Sequence, residues 1–231
     1  MSKTSRQLPL SLRYPPDQRL DAFVAPPAGA LAQLSALAAS GAEWLYFVGP
    51  HDAGKTHLAL GFCAEVDALA KTATYLPLVA MAGRLREALP APQPDMRIAL
   101  DGIEHIAGKR EDEVALFDFH NAARTVGAGV VYTAREVPDA LGLVLPDLRS
   151  RLSQLTRIRL QPADDSTRAA ILRLRAERRG LAMDDAAIDW LLKRVERDLG
   201  SLTVLFERLD RESLAAKRRV TVPFLREVLG S

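Results

Sequence analysis

The sequence has very little cysteine, no long apolar run and almost no net charge. Its 231 residues include one cysteine, so no disulfide can form within the chain, which is typical of a reducing compartment. No apolar stretch approaches the ~20 residues that span a bilayer, and the first residues contain no apolar segment of signal-peptide length. These features predict a cytoplasmic protein with no membrane partner. The formal net charge of +2 does not by itself argue for nucleic-acid binding.

Five short apolar segments recur along the chain, and segments with helical spacing separate them. The segments are residues 43–48, 73–78, 97–101, 129–134 and 156–160. The first, third and fourth are almost continuously apolar, as strands are when helices cover both faces of a parallel sheet. This alternation predicts a doubly wound α/β domain, with a five-stranded parallel sheet flanked by helices.

The pattern changes near Pro162, where strand signals end and helical spacing takes over. We expect a flexible leader over 1–19, an α/β domain over 20–161 and a small helical lid over 162–231. Side chains that accept hydrogen bonds at helix starts support this division. The lid helices are expected to begin after Asp164 or Ser166, after Asp184 or Asp185, near 201 (ending near 217), and after Thr221.

The strongest motif is a loop that follows the first apolar segment. It reads Gly49-Pro50-His51-Asp52-Ala53-Gly54-Lys55-Thr56 and fits G-x-x-x-x-G-K-[ST] at every fixed position. Glycines allow backbone N–H groups to wrap a phosphate chain, and a helix N-terminus attracts its negative charge. Lys55 would reach the β- and γ-phosphates, and the Thr56 hydroxyl would bind Mg²⁺. The alternative is an ordinary Gly-rich turn.

An acidic residue, Asp101, ends the third apolar segment and is expected to hold Mg²⁺ through water. The alternative role for Asp101 is a turn or helix cap. Hydrolysing proteins of this kind usually carry a second acidic residue directly afterwards, to polarise the attacking water. Gly102 occupies that position, and Glu104 could reach the site only if the strand ended in an unusual turn. The sequence therefore predicts nucleotide binding with weak or absent hydrolysis.

With these motifs, essentially the whole chain resembles the AAA+ family, in its DnaA-related branch. The segment 20–24 resembles the part of that family that lies against adenine, and 99–108 (ALDGIEHIAG) is most similar to the Hda group. The resemblance implies a P-loop AAA+ domain followed by a lid, with ADP or ATP and Mg²⁺ as cofactors. It implies nucleotide contacts from Phe23, Val24, the whole of the loop from Gly49 to Thr56, and His57.

Two further segments carry roles that the resemblance implies. Thr133, within 131–134, matches the polar sensor I residue that lies near the γ-phosphate in this family. The alternative is that Thr133 is there only because threonine favours β-strands. Arg151, within 145–152, matches the arginine finger, which would act on a nucleotide held by a neighbouring molecule. The alternative is that Arg149 and Arg151 pair with Asp147 or face solvent.

The lid and the chain end depart from full-length initiators of this branch. The lid arginine that contacts nucleotide in many relatives falls on Gly200, which removes one phosphate contact. No residues remain after Ser231 for a helix-turn-helix domain, so we expect direct DNA binding to be weak or absent.

The leader contains Gln7-Leu8-Pro9-Leu10-Ser11-Leu12, which resembles the peptide that docks replication proteins on the sliding clamp. Gln7 would bond backbone groups, while Leu8, Leu10 and Leu12 would face an apolar groove. Pro9 keeps the segment extended and lowers the ordering cost. The alternative is an unstructured tail without a partner.

The resemblance implies a regulatory protein that docks on the polymerase sliding clamp (β subunit). There it would stimulate ATP hydrolysis by the initiator DnaA through Arg151, which prevents re-initiation; self-association into a homo-oligomer is also expected of this family. Two alternatives stay open. One is a helicase-loader ATPase acting on DNA, against which Gly102 and Gly200 argue. The other is an inert nucleotide-binding scaffold.

Overall fold

The computed structural model describes residues 16–194, 205–206, 208–213 and 219–229, and its centre is a five-stranded sheet. All strands are parallel and lie in the order β2-β3-β4-β1-β5. Each predicted apolar segment contains one of these strands, which confirms the predicted sheet. The strands are β1 (Leu45–Val48), β2 (Ala73–Pro77), β3 (Arg97–Asp101), β4 (Gly129–Ala134) and β5 (Thr156–Arg159).

Helices cover the sheet and explain why its inner strands are so apolar. Every residue of β1 and β4 is buried, as are the first four of β3. The first helix packs on the second, the second packs on β2, β3 and β4, and the fourth packs against the third and fifth. These helices are α1 (Ala30–Ser40), α2 (Lys55–Ala68), α3 (Leu85–Ala88), α4 (Arg110–Val126) and α5 (Pro146–Ser153).

The strand register brings the carboxyl ends of the inner strands together at one edge of the sheet. Pro77 pairs with Asp101, Asp101 pairs with Thr133, and Val48 pairs with Ala134. In open parallel sheets, ligands bind in the crevice outside these carboxyl ends. The loops after β1, β3 and β4 therefore meet where a ligand site is expected.

At the other end of the sheet, β3 begins with a fully buried arginine. Arg97 donates from Nε to the Ala38 carbonyl at 3.3 Å and from Nη1 to the Met96 carbonyl at 2.9 Å. Ala38 lies near the end of α1, where a cation is favourable. A Cβ at Gly41 or Gly129 would lie 2.6 or 2.5 Å from Arg97 side-chain atoms, so both glycines make room for this side chain.

The lid is helical and has a hydrophobic core of its own, extending from Leu172 to Val228. Asp164 caps the first lid helix, since its Oδ1 accepts the Thr167 N–H at 2.7 Å, and Asp184 does the same for Ala187 at 2.7 Å. Of the predicted helix over 201–217, residues 205–206 and 208–213 are helical and the others lie outside the described residues. The remaining lid helices are α6 (Asp165–Arg178), α7 (Asp185–Arg194) and α8 (Val222–Leu229). Within the described ranges, none of the helices has the length and apolar character to cross a membrane.

The described part of the chain begins with two 3₁₀ turns, Pro16–Gln18 and Leu20–Ala22, packed on the rest of the protein. Residues 16–19 are therefore folded, and the flexible leader predicted over 1–19 extends too far at its carboxyl end. The prolines of this segment suggested flexibility, but a local pattern cannot show that the segment packs against helices distant in the sequence. Gly61 of α2 permits this contact, because a Cβ there would lie 2.7 Å from the Leu20 side chain.

Candidate functional site

The loop between β1 and α2 has the backbone that the sequence motif requires. Gly54 has φ of +87°, and Asp52, at +62°, is also left-handed. A Cβ on Gly49 would lie 2.8 Å from the Leu160 carbonyl oxygen, and one on Gly54 would lie 2.6 Å from the Phe23 ring. Both glycines are thus required by close approach, and the loop leads directly into the N-terminus of α2, where anions bind favourably.

Lys55, the first residue of α2, folds back over this loop. Its Nζ donates to the carbonyl oxygens of Gly49 at 2.7 Å and Pro50 at 2.6 Å. Burial lowers the pKa of Lys55, while the carboxylates of Glu104 and Asp101 act in the opposite direction. The ammonium therefore lies in a partly desolvated place where it could exchange the two carbonyls for phosphate oxygens.

Three hydroxyl groups converge on Asp101, which ends β3. Oδ2 of Asp101 accepts hydrogen bonds from Thr56 Oγ1 and Tyr75 Oη, both at 2.8 Å, and Oδ1 accepts one from Thr133 Oγ1. The Gly102 N–H donates to Thr133 Oγ1 at 2.9 Å. A hydroxyl and a carboxylate this close are the oxygen ligands that Mg²⁺ prefers, so Thr56 and Asp101 could hold that ion.

Tyr75 is a member of this network that the sequence interpretation missed. It lies near the carboxyl end of β2, the strand next to β3. Burial, followed by the negative charge of Asp101, raises the pKa of its phenol, so Tyr75 stays a hydrogen-bond donor. Its place near the end of a parallel strand was the one signal in the sequence that could have identified it.

After Asp101 the chain makes the unusual turn on which the role of Glu104 depended. Gly102 has φ of +90°, and a 3₁₀ turn, Ile103–His105, follows it. Glu104 thereby reaches the same cavity as Lys55 and Asp101. Its Oε1 lies 3.2 Å from Arg135 Nε, and its Oε2 accepts the Arg135 N–H at 3.1 Å.

A second part of the cavity lining comes from the mostly apolar segment 22–27 and from the lid. Phe23 and Val24 line it, and the Phe23 ring meets the ring of His57 edge to face at 5.2 Å. His57 Nε2 lies 2.9 Å from the Arg19 carbonyl oxygen, to which it donates. Burial lowers the pKa of His57, which keeps the ring neutral. Helix α6 contributes Thr167, Ile171 and Arg175 to the lining.

The cavity has a volume of about 790 Å³, which is within the usual range for ligand sites. Most residues predicted to contact nucleotide line it: Phe23, Val24, His51, Asp52, Ala53, Gly54, Lys55, Thr56, His57 and Asp101. Gly49, Pro50 and Thr133 are not in its lining. Gly49 and Pro50 bond Lys55, whereas Thr133 bonds Asp101.

Arg151 lies on the exposed surface of α5, outside the cavity lining. The buried Leu148 and Leu152 hold this helix against the protein. Arg149, two residues before Arg151 and also exposed, lies 3.9 Å from Asp139, whereas one alternative paired it with Asp147. Among the described residues, Arg151 forms no salt bridge.

A buried glutamate fixes the start of α5. Glu113 is fully buried, and its carboxylate accepts the N–H groups of Val144 at 3.1 Å, Leu145 at 2.7 Å and Gly108 at 2.7 Å. Val144 and Leu145 directly precede α5. Charge-assisted bonds to three backbone groups hold the helix, and with it the backbone of Arg151, in a defined place.

A second group that sequence reasoning missed connects the start of the described chain to the lid. Asp17 lies 2.9 Å from Arg179 Nη2 and 3.8 Å from Arg175 Nε, and each of the three side chains is less than a tenth exposed. Arg175 also lines the cavity. The predicted clamp-binding residues Gln7, Leu8, Leu10 and Leu12, and also Gly200, lie outside the described residues.

Residues 165–229 match the family model for the lid domain of Hda. The chain is similar in structure to domain III of Thermotoga maritima DnaA, with 20% identity and a TM-score of 0.72 over 93% of this chain and 96% of that one. DnaA from Aquifex aeolicus bound to AMPPCP is 17% identical, with a TM-score of 0.62, and the match covers 89% of this chain and 71% of that one. The Thermotoga maritima RuvB Holliday junction branch migration motor is also 17% identical, with a TM-score of 0.63, and the match covers 94% of this chain and 73% of that one. Identities this low establish a shared fold, here the AAA+ fold.

Proposed function

Because this chain has the AAA+ fold of DnaA domain III and carries a lid segment that matches Hda, we propose that it is a regulator of the replication initiator. It binds ADP or ATP with Mg²⁺ in the cavity between the phosphate loop and the lid. It docks on the sliding clamp through residues 7–12. Arg151 then enters the nucleotide site of DnaA and stimulates ATP hydrolysis, which prevents re-initiation.

The single observation that carries this proposal is the separation of Arg151 from the protein's own cavity. Arg151 is exposed on α5, whereas Lys55, Thr56 and Asp101 lie together at the carboxyl edge of the sheet. A guanidinium presented to another molecule can stabilise the charge that develops in phosphoryl transfer. The buried Glu113 anchor supports this role, because a finger must be held in place to act.

The protein's own site supports binding more than turnover. Gly102 supplies no carboxylate beside Asp101, and Arg135 engages both oxygens of Glu104. A carboxylate held in this way is a poor general base for an attacking water. Lys55 and the N-terminus of α2 would hold the phosphates, while Phe23 and Val24 would contact the base.

Nucleotide binding itself is tested with Lys55→Ala. This change is expected to weaken ADP binding about 30-fold or more, since loss of one partner in a desolvated charge pair costs roughly 2–5 kcal/mol. Titration calorimetry measures the affinity, with Lys109→Ala, a matched loss of a lysine outside the cavity lining, as control. Absence of heat from the unaltered protein at millimolar nucleotide would favour the inert scaffold instead.

Clamp docking is tested by replacing both Gln7 and Leu10 with alanine. The double variant is expected to lose measurable binding to purified clamp, because it removes the amide that bonds backbone and one apolar anchor. Surface plasmon resonance measures the affinity, and Ser2→Ala with Ser5→Ala, outside residues 7–12, serves as a matched leader control. Clamp affinity that survives in the Gln7 and Leu10 variant would remove the tether from the proposal.

The helicase-loader alternative makes a different prediction with the same protein. A loader of this family would hydrolyse ATP faster when single-stranded DNA is added, and its DNA binding would fall steeply with salt. Our proposal expects neither effect. DNA-stimulated turnover by the purified protein would favour the loader.

A further inference from the structure

Glu104 and Arg135, which line the cavity near Lys55, form an ion pair in which Arg135 contacts the carboxylate with both its side chain and its backbone. Arg135 Nε lies 3.2 Å from Glu104 Oε1, while the Arg135 backbone N–H donates to Oε2 at 3.1 Å. One residue therefore holds both carboxylate oxygens. The Glu104 side chain is only 18% exposed, whereas the Arg135 side chain is 49% exposed and so has room to move.

The pair lies where the end of a phosphate chain would lie. Glu104 and Arg135 both line the cavity together with Lys55 and Asp101. Among the charges that influence the pKa of Lys55, Glu104 has the largest effect, followed by Asp101 and then Arg135. Since a phosphate-loop lysine reaches the β- and γ-phosphates, the ion pair is next to the position of a γ-phosphate.

We propose that Glu104 and Arg135 make this site distinguish nucleoside diphosphates from nucleoside triphosphates. The inference rests on the nucleotide binding proposed above. A γ-phosphate brings negative charge towards Glu104, while Arg135, a guanidinium of the same lining that could receive that charge, is already bound to the same carboxylate. A triphosphate must separate the pair and leave Glu104 beside a like charge. A diphosphate leaves the pair intact and binds more tightly.

Two variants should change this selectivity in opposite directions. Glu104→Gln keeps the size of the side chain, removes the like charge and frees Arg135 for the γ-phosphate. It should tighten ATP relative to ADP by about tenfold or more, as expected for a close charge pair. Arg135→Ala leaves Glu104 unopposed and should weaken ATP by about tenfold, with ADP changed by roughly twofold at most. General damage to the fold would not produce opposite shifts.

Titration calorimetry with ADP and with ATP, each with Mg²⁺, measures the ratio of the two dissociation constants. Glu136→Gln is the control, because it makes the same charge change one residue beyond Arg135 but lies outside the cavity lining. We expect the unaltered protein and the control to prefer ADP, Glu104→Gln to reduce that preference, and Arg135→Ala to increase it.

The selectivity proposal is overturned if the unaltered protein binds both nucleotides equally, or if the ratio is the same in both variants while binding persists. Nucleotide binding itself survives either of those results. No binding of either nucleotide to the unaltered protein overturns the proposed site as well, which separates the two failures.

Discussion

Replacing Asp17 by alanine is expected to lower the free energy of unfolding by about 3–5 kcal/mol, because removing one partner of a buried ion pair leaves charge uncompensated. Asp17 is the carboxylate that Arg175 and Arg179 of the lid segment share, at 3.8 and 2.9 Å. All three side chains are nearly inaccessible to water, so solvent cannot replace the lost carboxylate. The change also detaches the folded start of the chain from α6.

Asp21→Ala is the matched control for Asp17→Ala. Asp21 also pairs with a lid arginine, Arg178, at 2.8 Å, but its side chain is 61% exposed. Exposed pairs contribute at most about 1 kcal/mol. Urea unfolding followed by circular dichroism measures both variants. Equal, small losses would show that the buried cluster adds no more stability than a surface pair.

Replacing Arg151 by alanine is expected to reduce the stimulation of ATP hydrolysis by DnaA about 1,000-fold or more, which is the range for arginine fingers. The reason is electrostatic: no other charge replaces the guanidinium at the phosphoryl group as its charge develops. Clamp docking should be unchanged, because it depends on the leader. Phosphate release by DnaA with clamp-loaded DNA measures the rate.

Arg149→Ala provides a matched control on the same exposed helix. Arg149 lies near Asp139, at 3.9 Å, and we assign it no part in the partner's chemistry. Its loss should change the rate by a few-fold at most, as for a surface charge in an interface. If both arginines contribute equally, α5 is a docking surface and not the carrier of a finger.

The phosphate loop and the strands were predictable from sequence because their signals are local. The loop from Gly49 to Thr56 needs glycine, lysine and threonine at fixed spacing, whatever surrounds it. The strands β1, β3 and β4 are buried and almost continuously apolar because helices cover both faces of the sheet. Their parallel order then places Asp101 and Thr133 on one row, which joins two separately identified residues.

Residues whose roles depend on distant contacts were not predictable. Asp17 is 162 positions from Arg179 in the chain, and nothing in its own segment indicates burial of a carboxylate. Arg97 begins a strand, and nothing in its own segment indicates burial of a charge, yet it is fully buried and bonds the carbonyl of Ala38 in α1. The role of Glu104 was predictable only in part. Its residue type suggested a role, but only the left-handed backbone of Gly102 brings it into the cavity.

The most direct test of the central claim is the rate of ATP hydrolysis by purified DnaA on clamp-loaded DNA, measured with and without this protein in its ADP-bound form. Our account predicts rapid hydrolysis only when DnaA, the DNA-loaded clamp and this protein are all present. An unchanged rate when the protein is added would contradict the account, even if nucleotide and clamp binding were both intact.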